Sequence, residues 1–303
     1  MSTKKKLIGY ASQSLLGIFI MFFAVACFKQ NTPQHQDDAE LDTSEITKLH
    51  QEMNEKNGLT NGYFASIAVA NDEYDKAYKI YYEECKKGST ISCLDAYFIG
   101  EERGLEEYNS EMFTKDLEAS VKRSLKACNE NISLGCVNTF FAFESLDEND
   151  EFLREILYPI LEKVNDEHIT DKALNLTKKE CENDDATSCF YHARILRSID
   201  SYADVDYLVD KNLNLGYALA PFVLLQQQAP QNLAYFKRAC DIDEAVSCRY
   251  VGYWLEKYEN DLSGAKQFYK KACDLGLEQS CIDASKPATQ KKDELGAPVV
   301  PRR

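Results

Sequence analysis

The chain has 303 residues, enough for one elongated domain or two compact ones, and carries 50 acidic against 35 basic residues. Removing residues 1–26 takes away three lysines, so 32 basic residues remain and the net charge falls to −18. A surface this acidic excludes binding to DNA, RNA or anionic lipid through charge; it keeps a protein soluble and suits, if anything, a basic partner.

In chain order, Lys4, Lys5 and Lys6 come first, followed by an apolar run from Leu15 to Ala26 that ends Ala24-Val25-Ala26-Cys27. A positive flank, a short apolar core and small residues before a cleavage point are the layout of a secretory signal peptide. The core is well short of the roughly 20 apolar residues a membrane-spanning helix needs. Cys27 directly after small-x-small resembles the bacterial lipobox, although Ala24 stands where a leucine is more usual. The resemblance implies a mature chain starting at Cys27 with lipid on its sulfur and amine. Phe28 in place of an aspartate implies sorting to the outer membrane. An uncleaved anchor helix and ordinary secretion are the alternatives. Gln30 to Thr43 is polar and without apolar periodicity, so residues 27–58 are assigned to the lipidated cysteine and a polar tether.

From residue 59 to 286 the periodicity is helical. Tyr74, Ala77, Tyr78, Tyr81 and Cys85 fall at i, i+3, i+4, i+7 and i+11, and Cys248, Val251, Gly252 and Leu255 keep the same face, as do Ala265, Phe268, Tyr269 and Ala272. Strand signals are weak, so the class is all-α.

The remaining ten cysteines fall at 85/93, 128/136, 181/189, 240/248 and 273/281, always with seven residues between partners. A small residue (Ser92, Gly135, Ser188, Ser247 or Ser280) precedes each second cysteine. Tyr235-Phe-Lys-Arg-Ala-Cys-Asp241 recurs as Phe268-Tyr-Lys-Lys-Ala-Cys-Asp274, an offset of 33 that signals a helical-hairpin solenoid. In such a hairpin the first cysteine ends one helix and the second lies in the first turn of the next. Gly276 suits the left-handed residue that closes the first helix. Neighbouring helices pack about 8–10 Å apart, so the two sulfurs near a shared turn approach disulfide distance. Metal is disfavoured because zinc sites use two-to-four-residue spacings and the four histidines are not placed with the cysteines. Reduced core cysteines would fit the cytoplasm, whereas an export signal favours disulfides Cys85–Cys93, Cys128–Cys136, Cys181–Cys189, Cys240–Cys248 and Cys273–Cys281.

The spacings between first cysteines are uneven. The 59-residue gap holds a cysteine-free repeat in which Lys211-Asn-Leu-Asn-Leu-Gly216 aligns with Lys271-Ala-Cys-Asp-Leu-Gly276, leaving Leu213 and Pro221 at the cysteine positions. The 53-residue gap holds an additional helix around Glu151 to Val164. Residues 287–303 are polar and proline-punctuated and read as a disordered tail; the Lys292-Asp-Glu-Leu295 within them is internal and no retention signal.

Asp261 to Gly276 followed by Ser280-Cys281 resembles the Sel1-like repeat, related to the TPR, in the cysteine-bearing form of the Helicobacter cysteine-rich proteins. The resemblance covers about residues 60 to 285 and is specific at 235–281. It implies an α-solenoid with one disulfide per turn, acting as an interaction scaffold or adaptor that binds another protein or peptide in the periplasm or at the outer membrane. Contact with the membrane would be through the lipid at Cys27 only, with no nucleic acid, cofactor or metal. The same family also implies three alternatives: a β-lactam-binding or weakly β-lactam-hydrolysing protein, an immunity protein, and a host-interacting antigen, anchored or secreted. Ser263-Gly-Ala-Lys266 satisfies the S-x-x-K nucleophile motif, yet no S-D-N or K-T-G accompanies it. Ser263 also occupies a repeat position held by Asp75 and Asp171, which points to a helix start. No HExxH, phosphate loop or GxSxG is present, so no catalytic residue is assigned. The binding residues are not readable.

Overall fold

The computed structural model describes residues 42–286, apart from 57, 59, 106–108, 147–149 and 226–229. Residues 1–26, read above as a signal peptide, Cys27, and residues 287–303, read as a tail, lie outside the described residues. Two helices, α1 (Ser44–Glu55) and α2 (Asn61–Ala70), precede a stack of hairpins. The hairpins pair α3 (Tyr74–Lys86) with α4 (Thr90–Arg103), and α5 (Ser110–Asn129) with α6 (Ser133–Glu144). After a single helix α7 (Glu151–Leu161) come α8 (Asp166–Glu182) with α9 (Ala186–Ile199), then α10 (Asp206–Asn214) with α11 (Ala220–Leu224). The last pairs are α12 (Leu233–Asp241) with α13 (Ala245–Trp254), and α14 (Leu262–Asp274) with α15 (Glu278–Ser285). No strand occurs among the described residues. The described residues from 74 to 285 thus form an α-solenoid of six antiparallel hairpins with one helix inserted, α7 standing where the 53-residue gap places it.

One turn is repeated six times. The residue three after each first cysteine, or after Leu213, has positive φ: Gly88, Asn131, Asp184, Gly216, Asp243 and Gly276. Its N–H returns to the carbonyl of the cysteine or leucine, and the next N–H returns to the residue before it, as in Gly276→Cys273 at 2.9 Å and Leu277→Ala272 at 3.1 Å. This is the Schellman closure, which satisfies the last carbonyls of the first helix and reverses the chain. Glycine, asparagine and aspartate fill the position because they tolerate the left-handed region. The cysteine-free hairpin keeps the same bonds, Gly216→Leu213 and Tyr217→Asn212, so the turn does not depend on the sulfur bridge.

The five cysteine-bearing turns each carry a disulfide joining the cysteines eight apart. In the hairpins that are flanked on both sides the second helix is the more deeply buried, whereas α15, at the end of the stack, buries only Ser280 and Asp283. Ser133 to Phe140 of α6 are buried without interruption, as are Ala186 to Ala193 of α9 and most of α13. The first helices bury only one stripe, for example Ala77, Tyr78, Tyr81 and Cys85 of α3. Close approach is needed where α13 meets α14: a Cβ on Gly252 would lie 2.7 Å from the Tyr269 ring and 3.0 Å from the Ala265 carbonyl.

The tether boundary at residue 58 is corrected by α1. Ile46 is fully buried and Leu49 nearly so, and with Met53 they line one face at i, i+3 and i+7. A polar stretch can hide such a stripe when three apolar residues are spread over eight positions. The folded region therefore starts before residue 59.

Candidate functional site

The described residues of 43–71 form a strap that visits the six hairpin turns in their chain order. Ile46 packs beside Gly88 of the first turn. His50 reaches Ser133 of the second and Asp185 of the third, at 3.4 and 3.0 Å. Asn54 bonds Asp185 at 2.6 Å and accepts from the Thr187 N–H at 2.9 Å. Gly58, with φ of +80°, lies over the ring of Tyr217 at the fourth turn, where a Cβ would come within 2.7 Å. Tyr63 Oη accepts from the Ala245 N–H at the fifth, and Asn71 brackets the sixth, donating to the Gly276 carbonyl and accepting from the Glu278 N–H. From Ile46 through His50 to Asn54 the strap advances four residues, about 6 Å of helix, at each step, and Gly58 follows beyond the end of α1.

The chemistry of the strap follows from helix ends. The first N–H groups of a helix have no partner within it. Asn54, Tyr63 and Asn71 supply acceptors to the first turns of α9, α13 and α15. Three of the hairpins also cap themselves, Ser89, Asp185 and Glu244 accepting from the N–H of Ser92, Ser188 and Ser247. Glu244 is fully buried; burial raises its pKa, opposed by its bonds to Ser247, Val246 and Tyr63. Burial and the neighbouring Glu244 raise the Tyr63 hydroxyl as well.

Ser133, His50 and Asp185 have the connectivity of a nucleophile relay. Ser133 is only 2 % exposed, however, and its hydroxyl stands at the buried start of α6, where a substrate carbonyl has no room to approach. The geometry serves as a latch between α1 and two hairpins. The S-x-x-K residues behave differently: Ser263 lies on the exposed face of α14, whose cap is Asp261, accepting from the Gly264 N–H at 2.9 Å. The ten cysteines after Cys27 are all bonded in pairs. Two surface depressions, one against Glu151, Arg154, Glu155, Tyr158 and Pro159 and the other between Asn54 and Asp184, Asp185 and Leu215, are shallow and open. No group of three or more potential metal ligands occurs among the described residues.

Outside the strap, large apolar side chains gather at the α9–α10 connection. Ile199, Tyr202 and Tyr207 are 55, 88 and 62 % exposed. Sequence reasoning missed both this cluster and the strap; the strap's signal was the Ile46–Leu49–Met53 stripe, and the cluster's was the aromatic-acidic run Asp200 to Tyr207.

The fold and these surfaces define a disulfide-stapled helical-hairpin solenoid closed along its turns by its own N-terminal segment. No family model matches the chain, and no curated protein does. Among solved structures it is similar to a Sel1 repeat protein from Oxalobacter formigenes, at 14 % identity over 80 % of this chain and 81 % of that one, with a TM-score of 0.32.

Proposed function

We propose that the chain is an exported scaffold or adaptor, lipid-anchored at Cys27, that binds another protein through the exposed surface of its solenoid. The observation that carries this reading is the closed, six-hairpin stack. Five disulfides and a strap touching every turn make a rigid platform, with exposed aromatic side chains mounted on it. Rigid presentation lowers the entropy cost of binding a partner, the property for which repeat solenoids are suited. Disulfides in this number fit an exported, non-cytoplasmic protein, and no helix among the described residues is long and apolar enough to cross a membrane. The layout of residues 4–28 supports the periplasmic, outer-membrane placement.

Crosslinking in intact cell envelopes, with the full chain as bait, tests the reading. Specific envelope proteins should be captured above a control bearing only residues 1–43. Capture of the same set by that control would overturn it.

A further inference from the structure

The loop from Ile199 to Val205 departs from the polar surface around it. Tyr202 stands almost wholly in solvent, and Tyr207 projects from the first turn of α10. The loop beneath them is held firmly. Val205 is fully buried, Leu208 and Val209 follow it into the core, and the Arg197 guanidinium donates to the Ser201 carbonyl. Asp200 accepts from the Tyr202 N–H at 2.9 Å and Asp204 from the Asp206 N–H at 3.1 Å. Exposed rings on a pinned loop are preorganised for contact.

Charge marks what they would contact. Tyr235 lies one turn before Arg238 on α12, and the bonds of Arg238 to Asp210 and Asn214 set that stretch against α10; burial raises the Tyr235 hydroxyl pKa first, and the carboxylates of Asp206, Asp210 and Asp204 raise it further. Arg238 also faces the group, but it is engaged by Asp210 at 2.6 Å and Asn214 at 2.8 Å. No lysine or arginine among the described residues pairs with Asp200, Asp204 or Asp206. With Asp210 taken by Arg238 and the Arg197 guanidinium held at the Ser201 carbonyl, the surface still sets Asp200, Asp204 and Asp206, none in an ion pair among the described residues, beside exposed ring faces, and that combination selects a cation carrying a flat or aliphatic body. Guanidinium stacks on tyrosine while pairing with carboxylate, and lysine does so less specifically.

We propose that the face formed by Tyr202, Asp204, Asp206, Tyr207 and Tyr235 docks an arginine- and lysine-bearing segment of a partner protein. The proposal rests on the scaffold reading and names its partner class. The probe is a fluorescent peptide of alternating arginine and serine, titrated against the full chain at low ionic strength and followed by anisotropy. It should bind; the lysine–serine peptide should bind more weakly, and the glutamate–serine peptide not at all. The double variant Tyr202→Ala/Tyr207→Ala should weaken binding about tenfold, the value of two exposed cation–π contacts. Asp204→Asn/Asp206→Asn should do the same, while Glu111→Gln/Glu118→Gln, an equal change of charge on exposed α5, should leave binding within about twofold. Every position changed is at the surface, and unchanged circular dichroism melts confirm folding. Retention of wild-type affinity by the tyrosine variant, or an equal loss in the α5 control, would mean diffuse attraction to an acidic protein and would overturn the proposal. The scaffold reading fails separately, in the absence of any captured envelope protein. Capture of the same proteins by the tyrosine variant would overturn this face alone.

Discussion

Asp185 takes hydrogen bonds from three directions: His50 at 3.0 Å, Asn54 at 2.6 Å and the Ser188 N–H at 2.7 Å. Burial of the carboxyl opposes its ionisation, yet the His50 bond and charge, with the Ser188 and Asn54 bonds, outweigh that and hold its pKa at about 2. In the unfolded chain the group titrates near its ordinary 3.8. The folded state therefore gains stability from it above that pH and loses the gain as pH falls toward 2. Asp185→Asn should lower stability at neutral pH by about 1–3 kcal/mol, since a charged cap and latch are replaced by a neutral one. Between pH 4 and 2 the difference from wild type should shrink. Urea denaturation at a series of pH values reads both effects. Gly252 offers a second test at this scale. With a Cβ 2.7 Å from the Tyr269 ring, Gly252→Ala should overpack the α13–α14 contact and cost about 1–3 kcal/mol in the same assay.

At the scale of elements, the repeated turn was legible in large part. Gly216 and Gly276 announce left-handed closures, and the alignment of Lys211–Gly216 with Lys271–Gly276 places the cysteine-free hairpin. Asn131, Asp184 and Asp243 fill the same position in other turns. Helix α1 was not legible. Its two buried side chains are outnumbered by polar neighbours, and its anchors lie on residues up to 135 positions away. Its docking therefore depends on a small contact. Ile46→Ala should remove buried contacts worth about 2–4 kcal/mol locally. Hydrogen exchange of 44–55 should accelerate strongly while α5 and α6 stay protected; uniform acceleration across the hairpins would show instead that the strap and stack open as one unit. Removing a staple acts differently. Each disulfide closes a loop of about nine residues, so Cys128→Ser/Cys136→Ser should cost roughly 2.5 kcal/mol under the chain-entropy model, measured as a lowered denaturation midpoint.

For the whole molecule, the strap makes cooperativity the expectation. Solenoids whose repeats contact only their neighbours can lose end repeats separately. Here Asn71 ties the start of the first hairpin to the turn of the last, across 205 residues of sequence. The oxidised chain should melt in a single calorimetric transition, and Asn71→Ala should split or broaden it toward the C-terminal hairpins. Export and anchoring are tested on the same scale. Thiol titration of denatured, unreduced mature protein should find no free thiol when Cys27 carries lipid, and Cys27→Ser should move the protein from the membrane to the soluble fraction. Continued membrane association of that variant would overturn the anchor.

The sequence alone determined the helical class, the hairpin period, the pairing of ten cysteines and the place of the repeat without them. These follow from local rules: side-chain periodicity, the left-handed turn residue and the reach of two thiols across one turn. Only the tertiary structure decided that residues 43–71 close the stack, that Ser133, His50 and Asp185 form a buried latch, and that Tyr202 and Tyr207 are left exposed where α10 meets α12. Each of these depends on side chains brought together by stacking, between residues as much as 207 positions apart. A local pattern specifies how each hairpin folds. Which surfaces the stack covers, and which it leaves to meet a partner, is set by how the hairpins pack.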